Sequence, residues 1–147
     1  MQFRRATLDE IYRLRFAVLR PGHPVERVHW AGDDLEPPAT YHFAAIGSEG
    51  QAQTIGCLTL LSSNWGDGPA YQLRGMAVAE GFRSRGIGGE LLKLAEQTVR
   101  TETPLRLLWC NARVPAVRFY ERNGWRVVSE GFDIAGVGPH RKMIRVL

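Results

Sequence analysis

Residues 83–92 read RSRGIGGELL, with three glycines and two arginines at the entrance of a segment that continues as a helix. Glycine disfavours a helix by up to about 1 kcal/mol relative to alanine, so three at a helix start imply a constraint that side chains would violate. From the turn alone two answers stay open. One is a tight strand-to-helix connection with no ligand. The other is an anion site: backbone N–H groups at a helix start are unpaired and converge, the helix dipole favours negative charge, and glycines let a phosphate approach. The familiar phosphate loops do not match. No Gly-Lys is followed by Ser or Thr, as a Walker loop requires. The GxGxxG dinucleotide pattern breaks at Leu91, and the stretch lies mid-chain rather than in an opening βαβ unit.

Patterning around the turn predicts one mixed sheet with helices. Residues 2–6 alternate weakly and open a strand. Thr7, with Glu10 three residues on, forms a capping-box pattern, and Leu8, Ile11, Leu14 and Val18 predict a helix over 8–19. Pro21 and Pro24 end it. Residues 21–40 are irregular, with a short helix expected around 24–30. YHFAAIG (41–47) and QTIGCLTLLS (53–62) read as a hairpin, and AYQLRGMAVA (70–79) as a third strand in which Gly75 signals a bulge or a close backbone approach. A helix over 86–100, a strand over 104–111 and a short helix over 114–124 stopped by Gly124 follow. Strands over 125–132 and 140–147, joined by a turn at 136–139, complete the chain. Strands and helices intermix and hairpins lie mid-chain and at the end, which is an α+β fold of three layers around one mixed sheet.

At 147 residues the chain is one domain, 1–147, and its 44% apolar and 23% charged content fits a soluble globular protein. No apolar run is long enough to span a membrane, and the N-terminal MQFRRATLDE has no apolar signal core, so a cytoplasmic location is expected. Cys57 and Cys110 sit in apolar contexts without CxxC spacing and read as buried thiols. The net charge of +4 favours an anionic partner. Without an RNP-type motif, zinc spacing or a dense basic block, neither nucleic acid, membrane nor metal is expected as a partner.

The spacing Arg83-x-x-Gly86-x-Gly88 after a strand ending LRGMAV resembles the acetyl-CoA signature of the GCN5-related N-acetyltransferases (the GNAT family). The later stretch resembles that family's second signature: a strand, Asn111, a helix carrying Ala116 and Tyr120, then NGW at 123–125. The element order agrees over nearly the whole chain. The resemblance implies a GNAT-like α/β/α arrangement around a mostly antiparallel sheet with a splayed central strand pair. It implies acetyl-CoA as co-substrate, with the pyrophosphate on the turn formed by Arg83, Ser84, Arg85, Gly86, Ile87, Gly88 and Gly89. The pantetheine arm would run along Met76, Ala77 and Val78, in a slot opened by a bulge near Gly75–Met76. Asn111, Ala116 and Tyr120 would face the same cofactor.

The implied reaction is direct attack of a neutral primary amine on the thioester in a ternary complex. An amide near Val78 would stabilise the oxyanion. Tyr120 would donate to the leaving thiolate, unless it only packs with Phe119. A phenol of pKa about 10 can donate to a thiolate whose conjugate acid is near 8.5 if tightly placed. Where some family members carry a glutamate base, this chain has Gln72, which cannot take a proton. A lysine amine, pKa about 10.4, is neutral only to a few parts in ten thousand at pH 7, against roughly a tenth for an α-amine. The missing carboxylate therefore leans toward weakly basic amines such as a peptide N-terminus or a small molecule. His140, at the start of the last strand, is either a base or an acceptor contact. Trp30 is placed to line the acceptor pocket, and Asp33 and Asp34 to draw a cationic amine. His23 and His29 read as surface residues. The resemblance also admits a homodimer, because edge strands in this fold often pair between subunits. Two other readings stay open: an acyl-CoA-binding regulatory module without turnover, and a basic RNA-associated domain.

Overall fold

In the computed structural model, which describes residues 1–22, 24, 29–48, 50 and 52–147, a single sheet carries helices on both faces. The elements are β1 (Gln2–Arg5), α1 (Leu8–Leu19), β2 (Thr40–Ile46), β3 (Thr54–Ser62), β4 (Tyr71–Val78) and α2 (Ile87–Glu102). There follow β5 (Leu107–Arg113), a 3₁₀ turn (Val114–Ala116), α3 (Val117–Arg122), β6 (Arg126–Val127), β7 (Phe132–Ile134) and β8 (Gly138–Val146). The sheet order is β1-β2-β3-β4-β5-β8-β6, with β7 also on β8. Every pairing is antiparallel except β4 with β5. The short helix expected around 24–30 and His23 fall largely or wholly outside the described residues.

The helices form where capping and apolar spacing agree. In α1 the Glu10 amide donates to Thr7 Oγ1 at 3.3 Å, and the Thr7 amide donates to Glu10 Oε1 at 2.9 Å, which closes the capping box. Its buried stripe, Ile11 and Leu14, packs on one sheet face against Ala44, Cys57 and Ala77. On the other face α2 sets Leu91, Leu92, Ala95 and Val99 against Phe43, Leu58, Leu60 and Leu73. The two apolar faces of the sheet are thus covered by different helices, as a three-layer α+β fold requires.

One expected strand is divided. The run expected over 125–132 forms β6 and β7 with an irregular stretch between. There the amide of Lys142, on β8, donates to Ser129 Oγ at 2.8 Å, so a side chain takes the place of a ladder carbonyl and pairing stops. It resumes with Phe132 opposite His140.

The feature that shapes the site is in β4. Cys57 pairs with Ala77 and Thr59 with Arg74, so two steps on β3 oppose three on β4. The extra residue lies at Gly75, at φ +67°, a left-handed value that glycine adopts without strain. The bulge turns β4 away from β5, and these parallel strands pair only at Tyr71–Leu108 and Gln72–Trp109 before separating.

Close seating of α2 on β3 yields a test. A Cβ at Gly56 would stand 2.9 Å from both Ile87 Cγ2 and Leu91 Cδ1, and 3.4 Å from Ala45 Cβ. Gly56→Ala should cost about 1–3 kcal/mol by overpacking, read as a lower urea midpoint. An unchanged midpoint would mean that α2 does not sit this close.

Candidate active site

The gap between β4 and β5 opens into a cleft of about 250 Å³. Leu73, Arg74, Gly75 and Met76 form one wall, and Cys110, Asn111, Ala112 and Arg113 the other. Separation of the strands leaves backbone groups of β4 without their sheet partners. The Ala79 amide donates to Ile55 O at 2.8 Å, and Val78 lies opposite Gly56. Because successive amides of a strand point to opposite sides, the Val78 N–H points away from β3, toward the gap. The same alternation sends the Ala77 amide to β3. The Ala77 side chain is buried with Ala44 and Cys57, so this residue offers the cleft neither group.

The glycine turn adjoins this gap. Gly86 caps α2 at φ +79° with no side-chain hydrogen bond, and the first intrahelical bond is Glu90 N to Gly86 O at 3.1 Å. The amides of Ile87, Gly88 and Gly89 therefore have no partner within the helix. Ile87 is buried and anchors the helix start, whereas Arg83, Ser84, Arg85 and Gly86 are exposed. Ser84 is the one described non-glycine residue at positive φ, 63°. Arg83 Nε donates to Val78 O at 3.2 Å, and Arg85 lies over the Phe82 ring at 5.3 Å. The glycines have separate reasons. Gly86 has open space around it and needs its left-handed φ. A Cβ at Gly88 would meet Phe119 at 2.8 Å and Met76 Cε at 3.1 Å, so Gly88 lets the turn dock on α3 and β4.

Asn111, Ala116 and Tyr120 all line the cleft, as do Trp30, Gln72 and His140. Tyr120 is locked between Phe119 and Trp125, at ring separations of 5.1 and 5.4 Å. Its hydroxyl makes no hydrogen bond to any described residue. Burial, with neighbouring Cys110 adding to it, pushes the phenol well above its ordinary value, so it stays protonated. Burial likewise pushes the Cys110 thiol up to about 12. His140 Nδ1 lies 2.7 Å from Gly138 O. A carbonyl only accepts, so Nδ1 carries a proton, and in the neutral ring the lone pair is on Nε2. Asn111 Oδ1 already accepts from Lys142 Nζ at 3.0 Å.

The acidic residues behave differently from their sequence expectation. The Asp33 side chain is fully buried and points into the protein. It accepts from Arg15 Nη1 at 2.6 Å and Nη2 at 3.2 Å, from Arg74 Nη2 at 3.2 Å and from the Trp30 amide at 2.8 Å. Burial alone would raise this carboxyl. The hydrogen bonds from Arg15 and the Trp30 amide, with the charges of Arg15 and Arg74, outweigh burial and hold it below the usual carboxylate range. Arg15 also donates to Thr59 Oγ1, which bonds His42. Asp33 is therefore engaged by Arg15 and Arg74, and it borders a second cleft beside β1 and β2 and not this one. Asp34 is exposed, pairs with His29 at 3.0 Å and belongs to that second cleft. Arg15, Arg74 and Arg113 were missed from the sequence. The signal for Arg15 was present, because it occupies a core position of the α1 stripe, four residues after Ile11.

The site is thus framed by a split parallel strand pair, with the Val78 amide on one lip and a glycine turn at its end. Residues 5–125 match the acetyltransferase (GNAT) family, and the chain belongs to it: it is an N-acetyltransferase by class. It is 30% identical over 148 aligned positions to the uncharacterized N-acetyltransferase YitI of Bacillus subtilis (strain 168), covering 100% of this chain and 97% of that one. Its fold resembles that of Escherichia coli ElaA, at TM-score 0.80 and 17% identity over 99% of both chains. It also resembles an aminoglycoside 6'-N-acetyltransferase solved with coenzyme A, at TM-score 0.76 and 14% identity, over 99% of this chain and 97% of that one.

The buried cluster has a pH signature. Asp33→Asn should cost about 3–5 kcal/mol near neutral pH, because it leaves buried arginine charge uncompensated. A carboxyl held low contributes stability above its unfolded value, about 3.9, and loses it as pH falls through the lower folded value. The difference in melting temperature between wild type and variant should therefore be widest near neutrality and close in acid. A pH-independent difference would contradict the assignment.

Proposed function

We propose that this protein transfers an acetyl group from acetyl-CoA directly to a primary amine, within a ternary complex. The observation that carries the reading is the separation of β4 from β5 at the Gly75 bulge, which turns the Val78 N–H toward the gap, next to the cleft lined by Met76, Tyr120 and His140. The pantetheine arm would enter the gap along Met76 to Val78, and its pyrophosphate would meet the amides of Ile87 to Gly89 beside Arg83 and Arg85. Asn111 and Ala116 form the opposite wall.

The chemistry follows from the groups present. The Val78 amide is the donor for the tetrahedral oxyanion. His140 Nε2 takes the amine proton, a task Gln72 cannot perform although it stands in the same cleft. The electron pair of the amine forms the new C–N bond, and collapse of the intermediate breaks the C–S bond. Full proton transfer from a phenol raised above 10 to a thiolate is uphill, so Tyr120 acts by hydrogen-bonding the departing sulfur. A Cys110 thiol near 12 is almost wholly protonated at neutral pH, which disfavours an acetyl-cysteine intermediate and supports direct transfer. The same reading includes a cytoplasmic location and a homodimer paired through an edge strand. Among the described residues no helix is long and apolar enough to cross a membrane.

Tyr120→Phe should lower kcat about tenfold or more while leaving KM for acetyl-CoA within about twofold, because the lost bond forms only as the thiolate departs. Unchanged turnover would remove Tyr120 from the reaction. Acetyl-CoA binding without CoA release for any amine would instead favour the regulatory-module reading.

A further inference from the structure

The charged side chains that line the cleft among the described residues are Arg20, Arg74 and Arg113; no Asp or Glu lines it. Arg74 is half-buried. Its one carboxylate contact is Asp33, which is also the bidentate partner of Arg15, and its Nε is buried without a hydrogen-bond partner. Among the described residues Arg113 donates one bond, Nη2 to Leu19 O at 2.9 Å, and pairs with no carboxylate. Burial lowers the pKa of both guanidiniums, as expected for cations held partly out of water. None of residues 83–89 lines this cavity, so its positive charge lies away from the turn assigned to the cofactor pyrophosphate. Arg113 is also the direct cross-strand neighbour of His140.

We infer that the acceptor amine carries an anionic group, a carboxylate or a phosphate, held by Arg113 and Arg74 while its nitrogen faces His140. The inference rests on the acetyltransferase reading for the location of the acceptor. A guanidinium that lacks a carboxylate partner in a partly dry cleft is matched by a ligand anion through charge-assisted, planar hydrogen bonds. A polycationic amine meets the opposite situation, since among the described residues no Asp or Glu lines the cleft and Asp33 is held by Arg15 and Arg74. Because Arg113 and His140 are register neighbours, the anion and the reacting nitrogen lie close together on one small molecule or chain terminus.

The test is titration calorimetry of the CoA-saturated protein with amines paired to differ only in the anion. Amino acids are set against their amides, and phosphoethanolamine against ethanolamine, which also separates carboxylate from phosphate. CoA release from acetyl-CoA is followed across the same pairs. The expected result is that the anionic member of at least one pair binds about tenfold tighter, a preference that shrinks in Arg113→Gln and returns in Arg113→Lys. It should also weaken as salt is raised. Equal or tighter binding of the uncharged member in every pair overturns the inference. So does an anionic preference that survives both Arg113→Gln and Arg74→Gln. CoA release that is fastest with uncharged or cationic amines overturns it while leaving the acetyltransferase intact. A clear binding preference without CoA release supports the anion site and removes the catalytic reading instead.

Discussion

One extra residue in β4 sets the geometry of everything around the site. At Gly75 the backbone turns through φ +67°, and a Cβ there would stand 2.9 Å from Arg15 Nε and 3.0 Å from the Trp30 ring. The bulge is therefore wedged against the Arg15 side chain, which Asp33 and Thr59 hold from the other side. The Arg15 guanidinium also lies 4.1 Å above the Trp30 ring. With this position held, β4 leaves β5 after Gln72, and the gap supplies both the cleft and the free Val78 amide.

The buried cluster explains how a polar floor exists beneath a sheet. A buried ion pair is not inherently stabilising, because desolvation offsets its attraction, but it is costly to break. Here it links α1, the segment before β2, β3 and β4 around one carboxylate. Asp33 is surrounded by donors, and His42 bridges Thr59 and the Asp33 carbonyl. Burial, chiefly, pushes His42 toward its neutral form. The arrangement leaves arginine charge on the cleft, where no Asp or Glu lies among the described residues, so the same contacts that hold the bulge also bear on the charge of the cleft.

Much of this was legible in the chain. Thr7 with Glu10, the period of Ile11, Leu14 and Val18, and the alternation in 41–47 and 53–62 encode local structure, and the structure follows them within a few residues. Gly75 signalled the bulge because a glycine inside a strand has few other purposes. The missed features depend on distant partners. Ser129 replaces a ladder acceptor only because Lys142 is opposite it. Asp33 reads as loop charge until Arg15 and Arg74 arrive from α1 and β4. Gly88 looks like room for a phosphate until Phe119 is seen against it. Motif spacing points to the lips of the proposed site, whereas the charge on the cleft walls comes from residues that no motif includes.

The most direct measurement is amide hydrogen exchange with and without acetyl-CoA. If the co-substrate lies in the β4–β5 gap with its pyrophosphate on the α2 start, protection should rise at Met76 and Val78 and at Ile87, Gly88 and Gly89, while the already paired Ala77 changes little. Binding that protects a different surface and leaves these amides unchanged would contradict the account.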